Sequence, residues 1–419
     1  MTVMHFDDII IGGGLSGLVC GLRLQRAGRR CALVSTGQNA MHFSSGSFGL
    51  LGRLPDGTPV EEPLKAIPSL PQEHPYSKIG QLRMKEYMHA VKPLFSSCGV
   101  QLCGEEEKNS YMLSPTGTVR TAWLALSDVS LYGSMDFRPG EKALIVNLKG
   151  YLDFNTRFIA EGLEKKGMKC RIEAVELPEM ERLRSNPSEM RSVNIARVMD
   201  KPDVVSSFAA AVQSRLEDED TVVLPSVFGL GSGASIVSLR ETIPANIIFV
   251  GTMPPSVPGI RSQLLLKKAF EAAGGTYLGG DKVTGAKMSE GHVESIFTEN
   301  LGNTVRLEAD NYILASGSFF SRGLWATPEK VLEPVFGLDV CSAPSRMDWY
   351  EKDFFATQEY IGFGVETDKS FHPSISGRTI DNLYASGSVI GGCNTLRLSC
   401  GAGVAIMTAF AVSDYITGK

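Results

Sequence analysis

Ile9-Ile10-Ile11-Gly12-Gly13-Gly14-Leu15-Ser16-Gly17 decides how this chain folds. Three consecutive isoleucines predict a buried strand, and Leu15, Leu18, Val19 and Leu22 recur at the spacing of one helical face. Between them stands GxGxxG in the strand–turn–helix setting where that motif holds a phosphate ester. Gly12 permits the tight turn, Gly14 lets the main chain approach the phosphate, and Gly17 lets the helix close on the strand. The free N–H groups and the positive end of the helix dipole then face the anion, so Gly12, Gly13, Gly14, Leu15, Ser16 and Gly17 are the first cofactor-binding candidates. The helix is expected to stop at Ala27-Gly28, and Cys31-Ala32-Leu33-Val34 to form the second strand.

The residues after that strand shape the cofactor expectation. Dinucleotide sites place an Asp or Glu about 20 residues past the glycines to hold the adenosine ribose. Here the strand runs into Ser35-Thr36-Gly37-Gln38-Asn39, with no carboxylate. A phosphate cradle with a weak adenosine end favours a mononucleotide such as FMN, with FAD as the alternative, and Ser35 joins the candidates. A glycine turn that only packs helix on sheet is the plainer reading.

The chain has 419 residues, 21% of them charged, and a formal net charge of −5. That length implies more than one core, and the charge gives no basic surface for nucleic acid or an anionic membrane. No basic and apolar leader precedes the first strand, and no apolar run reaches the ~18–20 residues of a spanning helix. Val404–Val412 reads as a buried core helix. Of eight cysteines, Cys98/Cys103 and Cys393/Cys400 are the closest pairs, and neither has CxxC spacing; Cys20 and Cys31 lie on apolar elements. The expectation is reduced thiols in a cytoplasmic protein, with no metal or iron–sulfur site in this chain.

Pro55, Pro59, Pro63, Pro68, Pro71 and Pro75 break any long element in their stretch, which reads as an extended crossing into a second domain. Helices are expected near Ser77–Ser97, Asn155–Lys166, Val204–Leu216 and Ile260–Ala272, and a polar stretch at Arg182–Arg191. Val305–Leu307 reads as a short strand, separate from the buried strand Tyr312–Ser316 that ends at Gly317. Asn382-Leu383-Tyr384-Ala385-Ser386-Gly387 repeats that design. Three strand-to-glycine turns belong to one sheet if the chain returns to its first domain. The expected architecture is α/β: a Rossmann-like, FAD/NAD(P)-binding type of domain with a parallel sheet, discontinuous over 1–70 and 259–419. A mixed α/β substrate or partner domain, 71–258, is inserted within it.

Further candidates follow from the same logic. Gly401, Ala402 and Gly403 open the last helix, where amides can face the flavin N1–C2=O edge; helix packing alone is the other reading. Ser44, Ser45 and Gly46, in Met41-His42-Phe43-Ser44-Ser45-Gly46-Ser47, are candidate donors to phosphate or ribityl oxygens. No titratable pair identifies a catalytic base. His42 is a candidate proton shuttle, and Arg397 a candidate bidentate anchor for a substrate phosphate or carboxylate, with Arg261 of similar standing. Trp349-Tyr350 and Phe354-Phe355, among charges, are a candidate partner face.

Gly12–Gly17, the segment Glu308–Gly317, the segment Asn382–Gly387 and the glycine-opened last helix together resemble the flavoprotein oxidoreductase superfamily. Cys20-Gly21-Leu22, Arg30–Val34, His42–Ser47 and Leu54-Pro55-Asp56-Gly57 narrow the resemblance to the B-subunit family of anaerobic glycerol-3-phosphate dehydrogenases. The resemblance implies FMN as cofactor, with Gly317, Gly387 and Ser388 along the flavin. It implies a complex with a catalytic A subunit carrying FAD and an iron–sulfur C subunit at the membrane, so that this chain is peripheral on the inner face of the cell membrane. It also implies oxidation of sn-glycerol 3-phosphate to dihydroxyacetone phosphate, electrons passing to quinone and on to fumarate or nitrate. One departure stands out: Ser388 occupies the place where many superfamily members hold the ribityl chain with an acid. Two other readings stay open, a self-sufficient FAD oxidoreductase of another small substrate and a non-catalytic assembly protein.

Overall fold

A computed structural model describes residues 2–186 and 189–419 and divides the chain into two compact units. The first comprises Met1–Ala40, Phe48–Gly99 and Leu265–Lys419; the second comprises Met41–Ser47 and Val100–Leu264. The polar stretch Arg182–Arg191 includes positions 187 and 188, which lie outside the described residues. In chain order the elements used below are β1 (Thr2–Ile11), α1 (Leu15–Arg26), β2 (Cys31–Ser35), α2 (Pro75–Ile79), α3 (Gln81–Ser96), β3 (Lys142–Leu148), α4 (Thr156–Glu164), β4 (Lys169–Val175) and α5 (Pro202–Gln213). They continue with β5 (Thr221–Pro225), α6 (Ala234–Thr242), β6 (Asn246–Val250), α7 (Val257–Ala272), β7 (Thr276–Gly279), β8 (Val283–Ser289), β9 (His292–Thr298), β10 (Gly302–Leu314), β11 (Leu383–Ala385) and α8 (Gly401–Thr417).

The first unit is built on a sheet in the order β7-β2-β1-β10-β9-β8, with β11 also paired to β10. The pairs of β1 with β2 and β10, of β2 with β7, and of β10 with β11 are parallel; β8 and β9 run antiparallel at the far edge. Ile9, Ile10 and Ile11 are fully or almost fully buried, as a strand covered on both faces requires. Ile11 lies opposite Leu314, and Leu314 opposite Ala385, so three strand ends reach one edge together. This is the edge at which open α/β sheets bind ligands. The separate strands expected at 305–307 and 312–316 are one long strand, β10. Its charged Arg306, Glu308 and Asp310 alternate with buried Leu307 and Ala309, and that alternation disguised a continuous element.

α1 and α8 pack together through polar ties on an apolar seam. Arg23 reaches Asp414 at 2.5 Å and Ser413 Oγ at 2.6 Å, with its guanidinium 3.9 Å over the Phe410 ring. The stretch Val404–Val412 is the buried core helix its composition promises. Residues 71–99, expected in the inserted domain, belong instead to the first unit. Tyr87 of α3 packs on Phe410 at 5.4 Å between ring centroids, and the Tyr76 hydroxyl of α2 donates to Leu50 O at 2.7 Å. The proline-rich stretch is not a simple extended crossing either: Pro63 starts a short helix and Pro75 starts α2, the first-turn position that tolerates a missing N–H.

The second unit carries its own parallel sheet, ordered β4-β3-β5-β6. Leu144, Ile145, Val222, Val223 and Ile248 form its middle, with Phe208 and Val212 of α5 and Leu239 of α6 packed into the same core. It is an α/β unit in its own right, with apolar strands and amphipathic helices.

Candidate functional site

The glycine turn is shaped by three different constraints. Gly12 holds φ at +122°, and a Cβ there would lie 2.2 Å from Ala315 O. Gly17 has no room either: a Cβ would come within 1.9 Å of Gly12 O, where α1 crosses β1. Gly13 is pressed against β2 and β7, its missing side chain replaced by Ser35 Oγ and the Tyr277 hydroxyl. Gly14 differs from all of these. The nearest atom to a Cβ on it is Asn39 Cβ at 3.9 Å, so it borders open space. Gly14 is also the N-cap of α1, and no side chain caps the first-turn amides. Open space beside uncapped amides is the geometry an anionic phosphate fills.

The other candidates of the first unit sort themselves around this edge. Ser16 Oγ is 2.6 Å from Ser386 Oγ, which is 3.1 Å from Thr408 Oγ1, so its hydroxyl belongs to an internal chain and only its amide is available to a ligand. Leu15 is half-buried. Ser35 is buried, and its Oγ accepts the Gly37 amide at 3.1 Å. Asn39 Nδ2 donates to Gly13 O at 2.9 Å, pinning the segment after β2 to the glycine turn. Gly317 and Gly387, with φ of +80° and +81°, turn the chain at the ends of β10 and β11. A Cβ on Gly317 would sit 3.7 Å from Ser388 Oγ, so these two candidates are neighbours. Ser316 Oγ, beside them in sequence, is buried without a partner.

At the mouth of α8 the candidates divide. The Gly403 amide donates to Gly49 O at 2.8 Å, and a Cβ on Gly403 would strike the Tyr76 hydroxyl at 2.3 Å. Gly403 is therefore a packing glycine, and Gly401 and Ala402 are left to present first-turn amides. Arg397 is exposed on the turn before α8, its own amide donating to Asn394 Oδ1 at 3.0 Å.

His42, Ser44, Ser45 and Gly46 lie in the second unit. His42 Nε2 is 2.6 Å from Gln263 Oε1. Ser44 Oγ accepts the Gly46 amide at 3.2 Å and Ser45 Oγ is 2.9 Å from Ser47 Oγ, so these hydroxyls close the loop on itself. Arg261 is not a substrate anchor: it is buried, paired with Asp128 at 2.6 Å, and donates to Gly229 O at 3.0 Å.

One cluster has no counterpart in the sequence reading. Cys393, Cys400 and His74 meet in the interior of the first unit, all buried. Cys393 Sγ lies 3.4 Å from Cys400 Sγ and 3.2 Å from His74 Nε2. The hydrogen bond with Cys400 pulls the Cys393 thiol down to about 6, with His74 assisting, against the opposing pressure of burial. Cys400 is pushed well up by the same bond and by burial. By contrast, burial and the nearby Asp8 carboxylate push Cys20 and Cys31 far up, leaving inert core thiols. The pairing of Cys393 with Cys400 is short-range, but His74 is 319 residues from Cys393, and no sequence spacing links them.

The FAD binding domain family matches residues 7–404. Curated proteins called the B subunit of anaerobic glycerol-3-phosphate dehydrogenase match end to end. That of Yersinia pestis bv. Antiqua (strain Antiqua) is 39% identical over 99% of both chains, and that of Pectobacterium atrosepticum is 39% identical over 99% of both. That of Vibrio vulnificus is 38% identical over 99% of this chain and 97% of its own. Among solved structures, 3-ketosteroid delta1-dehydrogenase from Sterolibacterium denitrificans aligns over 99% of both chains at 9% identity and a TM-score of 0.44.

The family match corrects the FMN expectation: the flavin site is of the FAD type. The missing carboxylate after β2 misled, because ribose hydroxyls can equally be held by neutral hydroxyl and amide groups. Thr36 and Gln38, both exposed, supply that kind of group just past the strand end. The open Gly14 face fits the phosphate of such a cofactor. The chain belongs to the FAD-binding-domain flavoproteins and, within them, to the B-subunit family of anaerobic glycerol-3-phosphate dehydrogenases.

Proposed function

We propose that this chain is the flavin-bearing B subunit of a complex that oxidises sn-glycerol 3-phosphate to dihydroxyacetone phosphate and delivers the electrons to quinone. The observation that carries the flavin part is the open face at Gly14 beside uncapped helix amides. The substrate and the complex rest on relatives matched over nearly their full length, named as subunits of that dehydrogenase. When bound, FAD supplies the capacity to take up an electron pair and pass it on. The amides of Gly14, Leu15 and Ser16 bind and orient its phosphates. The side chains of Thr36 and Gln38 hold the adenosine end, on a segment that Ser35 and Asn39 fix against the glycine turn. Ser388, beside Gly317, donates to the ribityl chain, and the amides of Gly401 and Ala402 stabilise negative charge at the reduced ring.

In this reading a catalytic A subunit and an iron–sulfur C subunit complete the electron route to fumarate or nitrate. No helix among the described residues is long and apolar enough to cross a membrane. The chain then reaches the inner face of the membrane through its partners. Phe354 and Phe355, 84% and 92% exposed, form the face for a partner protein; Trp349, grouped with them by sequence, is buried with its indole N–H on Ala343 O.

Acid release of the chromophore from the purified chain, followed by chromatography, tests the flavin part. FAD is the expected product, and a chain that stays colourless after reconstitution with FAD overturns it. Glycerol 3-phosphate-dependent dye reduction by the co-expressed complex tests the substrate, and a complex that is inert to it overturns that part.

A further inference from the structure

Cys393 and Cys400 are brought together by a loop that has little freedom. Gly392 holds φ at +80°, and a Cβ there would meet Glu73 O at 3.0 Å, so residue 392 is packed directly on the residue before His74. The turn 394–399 then doubles back: the Leu398 amide donates to Asn394 O at 3.0 Å and the Cys400 amide to Thr395 O at 3.1 Å. The result is two sulfurs in contact, deep inside the unit, next to an imidazole.

Three buried ligand-type groups also suggest a metal, and the hydrogen bonding of His74 argues against one. His74 is the N-cap of α2, and its Nδ1 accepts the Tyr76 amide at 3.1 Å. An acceptor Nδ1 in a neutral ring leaves the proton on Nε2, the atom facing Cys393. A metal needs a lone pair there, whereas the thiolate of Cys393 needs a donor. Cys393 Sγ thus receives His74 Nε2–H and Cys400 S–H together, while Cys400 keeps its proton.

We propose that Cys393 and Cys400 are a buried redox-active dithiol that exchanges an electron pair with the flavin, which rests on the flavin site proposed above: Cys400 is the N-cap of α8, directly before Gly401, whose amide faces the ring in that reading. In the oxidising direction an S–S bond forms between Cys393 and Cys400, the Cys400 S–H bond breaks, and the flavin takes up the electron pair and that proton. One thiolate, one thiol and oxidised flavin become one disulfide and anionic reduced flavin, so atoms, electrons and charge balance. The sulfurs need close by only about 1.4 Å to reach bonding distance. His74 is a positioning residue that holds Cys393 as thiolate, the form that reacts.

The full chain, flavin-loaded and flavin-stripped, is equilibrated anaerobically in dithiothreitol redox buffers of stepped potential, then alkylated under denaturing conditions and mapped by mass spectrometry. The expected result is one two-electron step that protects Cys393 and Cys400 together and leaves the other six cysteines alkylated. Reductive titration of the oxidised, flavin-loaded chain is expected to consume four reducing equivalents, two per centre, and only two in Cys400→Ser. Thiols recovered free at every potential overturn the proposal, as does one tightly retained zinc per chain protecting both. A disulfide step with only two equivalents consumed by the wild type overturns the exchange with flavin. A chain that binds no flavin removes the flavin site and that exchange with it, while the step in the stripped chain is still read by itself. Should the serine variant fail to fold, both wild-type measurements decide.

Discussion

Gly14 and Gly17 stand one helical turn apart and answer to different forces. A side chain at Gly17 must enter the Gly12 carbonyl, so Gly17→Ala is expected to cost on the order of 1–3 kcal/mol, read as a lower denaturation midpoint. A side chain at Gly14 enters open space, so Gly14→Val is expected to keep the midpoint and lose bound flavin by at least about tenfold, read as chromophore per chain. Flavin retained in Gly14→Val would show that the phosphate lies elsewhere. Cys393 gives a prediction in pH. Folding lowers its thiol from the ordinary 9.0 to about 6, so the folded chain gains stability from this group as pH rises across that window and loses it as pH falls through 6. Above 9 the raised Cys400 acts in the opposite sense, because unfolding then frees its proton. The groups facing the thiolate are His74, Cys400 and Tyr76. Thiolate absorbance in the ultraviolet should persist between pH 6 and 8 in the reduced wild type and vanish in Cys393→Ser, with a flatter rise of stability over the same range.

At the scale of elements, α7 shows how a residue chosen for its chemistry can turn out to be architecture. Arg261 ties that helix to Asp128, with both side chains almost wholly out of water, and to the carbonyls of Phe228 and Gly229. Removing one partner strands a buried charge, so Arg261→Met is expected to destabilise the chain by about 3–5 kcal/mol, measured by denaturant unfolding. Flavin content in what remains folded should be unchanged; a stable variant that had lost substrate affinity would restore the anchor reading. The elements legible in the sequence were those whose pattern has one physical reading. The isoleucine run of β1, the helical face of α1 and the glycines closing β10 and β11 all announce a covered parallel sheet. β10 itself was cut in two, because Arg306, Glu308 and Asp310 look like a loop until the alternation with Leu307 and Ala309 is seen. At the glycine turn the sequence expectation and the geometry coincide: Gly12 and Gly17 admit no side chain, and Gly14 borders open space. The cofactor is not legible from one missing side chain: the strand end after β2 has no carboxylate, yet the family is one of FAD-binding domains. Nothing is visible in the sequence where the fold alone brings residues together, as with His74 and Cys393.

For the molecule as a whole, the discontinuous first unit explains why its return strands were recognisable at all: β10 and β11 end on the same edge as β1, and each needs a glycine there. In the proposed reading such an edge seats a cofactor whose electrons are handed to a partner, and membership in a family of subunits calls for a surface that a partner covers. Exposed aromatic side chains cost free energy in water and gain it when covered. Phe354 and Phe355, in edge contact with each other at 5.4 Å between centroids and largely in water, are poor surface for a monomer and good surface for an interface. The double variant Phe354→Ser/Phe355→Ser should therefore fold with unchanged midpoint and unchanged flavin content. Its yield with co-expressed partner proteins in affinity purification should fall at least about tenfold, since two buried phenylalanines contribute more than the ~1.4 kcal/mol that such a fall represents. Unaltered co-purification would move the partner face elsewhere on the first unit, and a loss of flavin in the same variant would mean that this segment supports the cofactor rather than a neighbour.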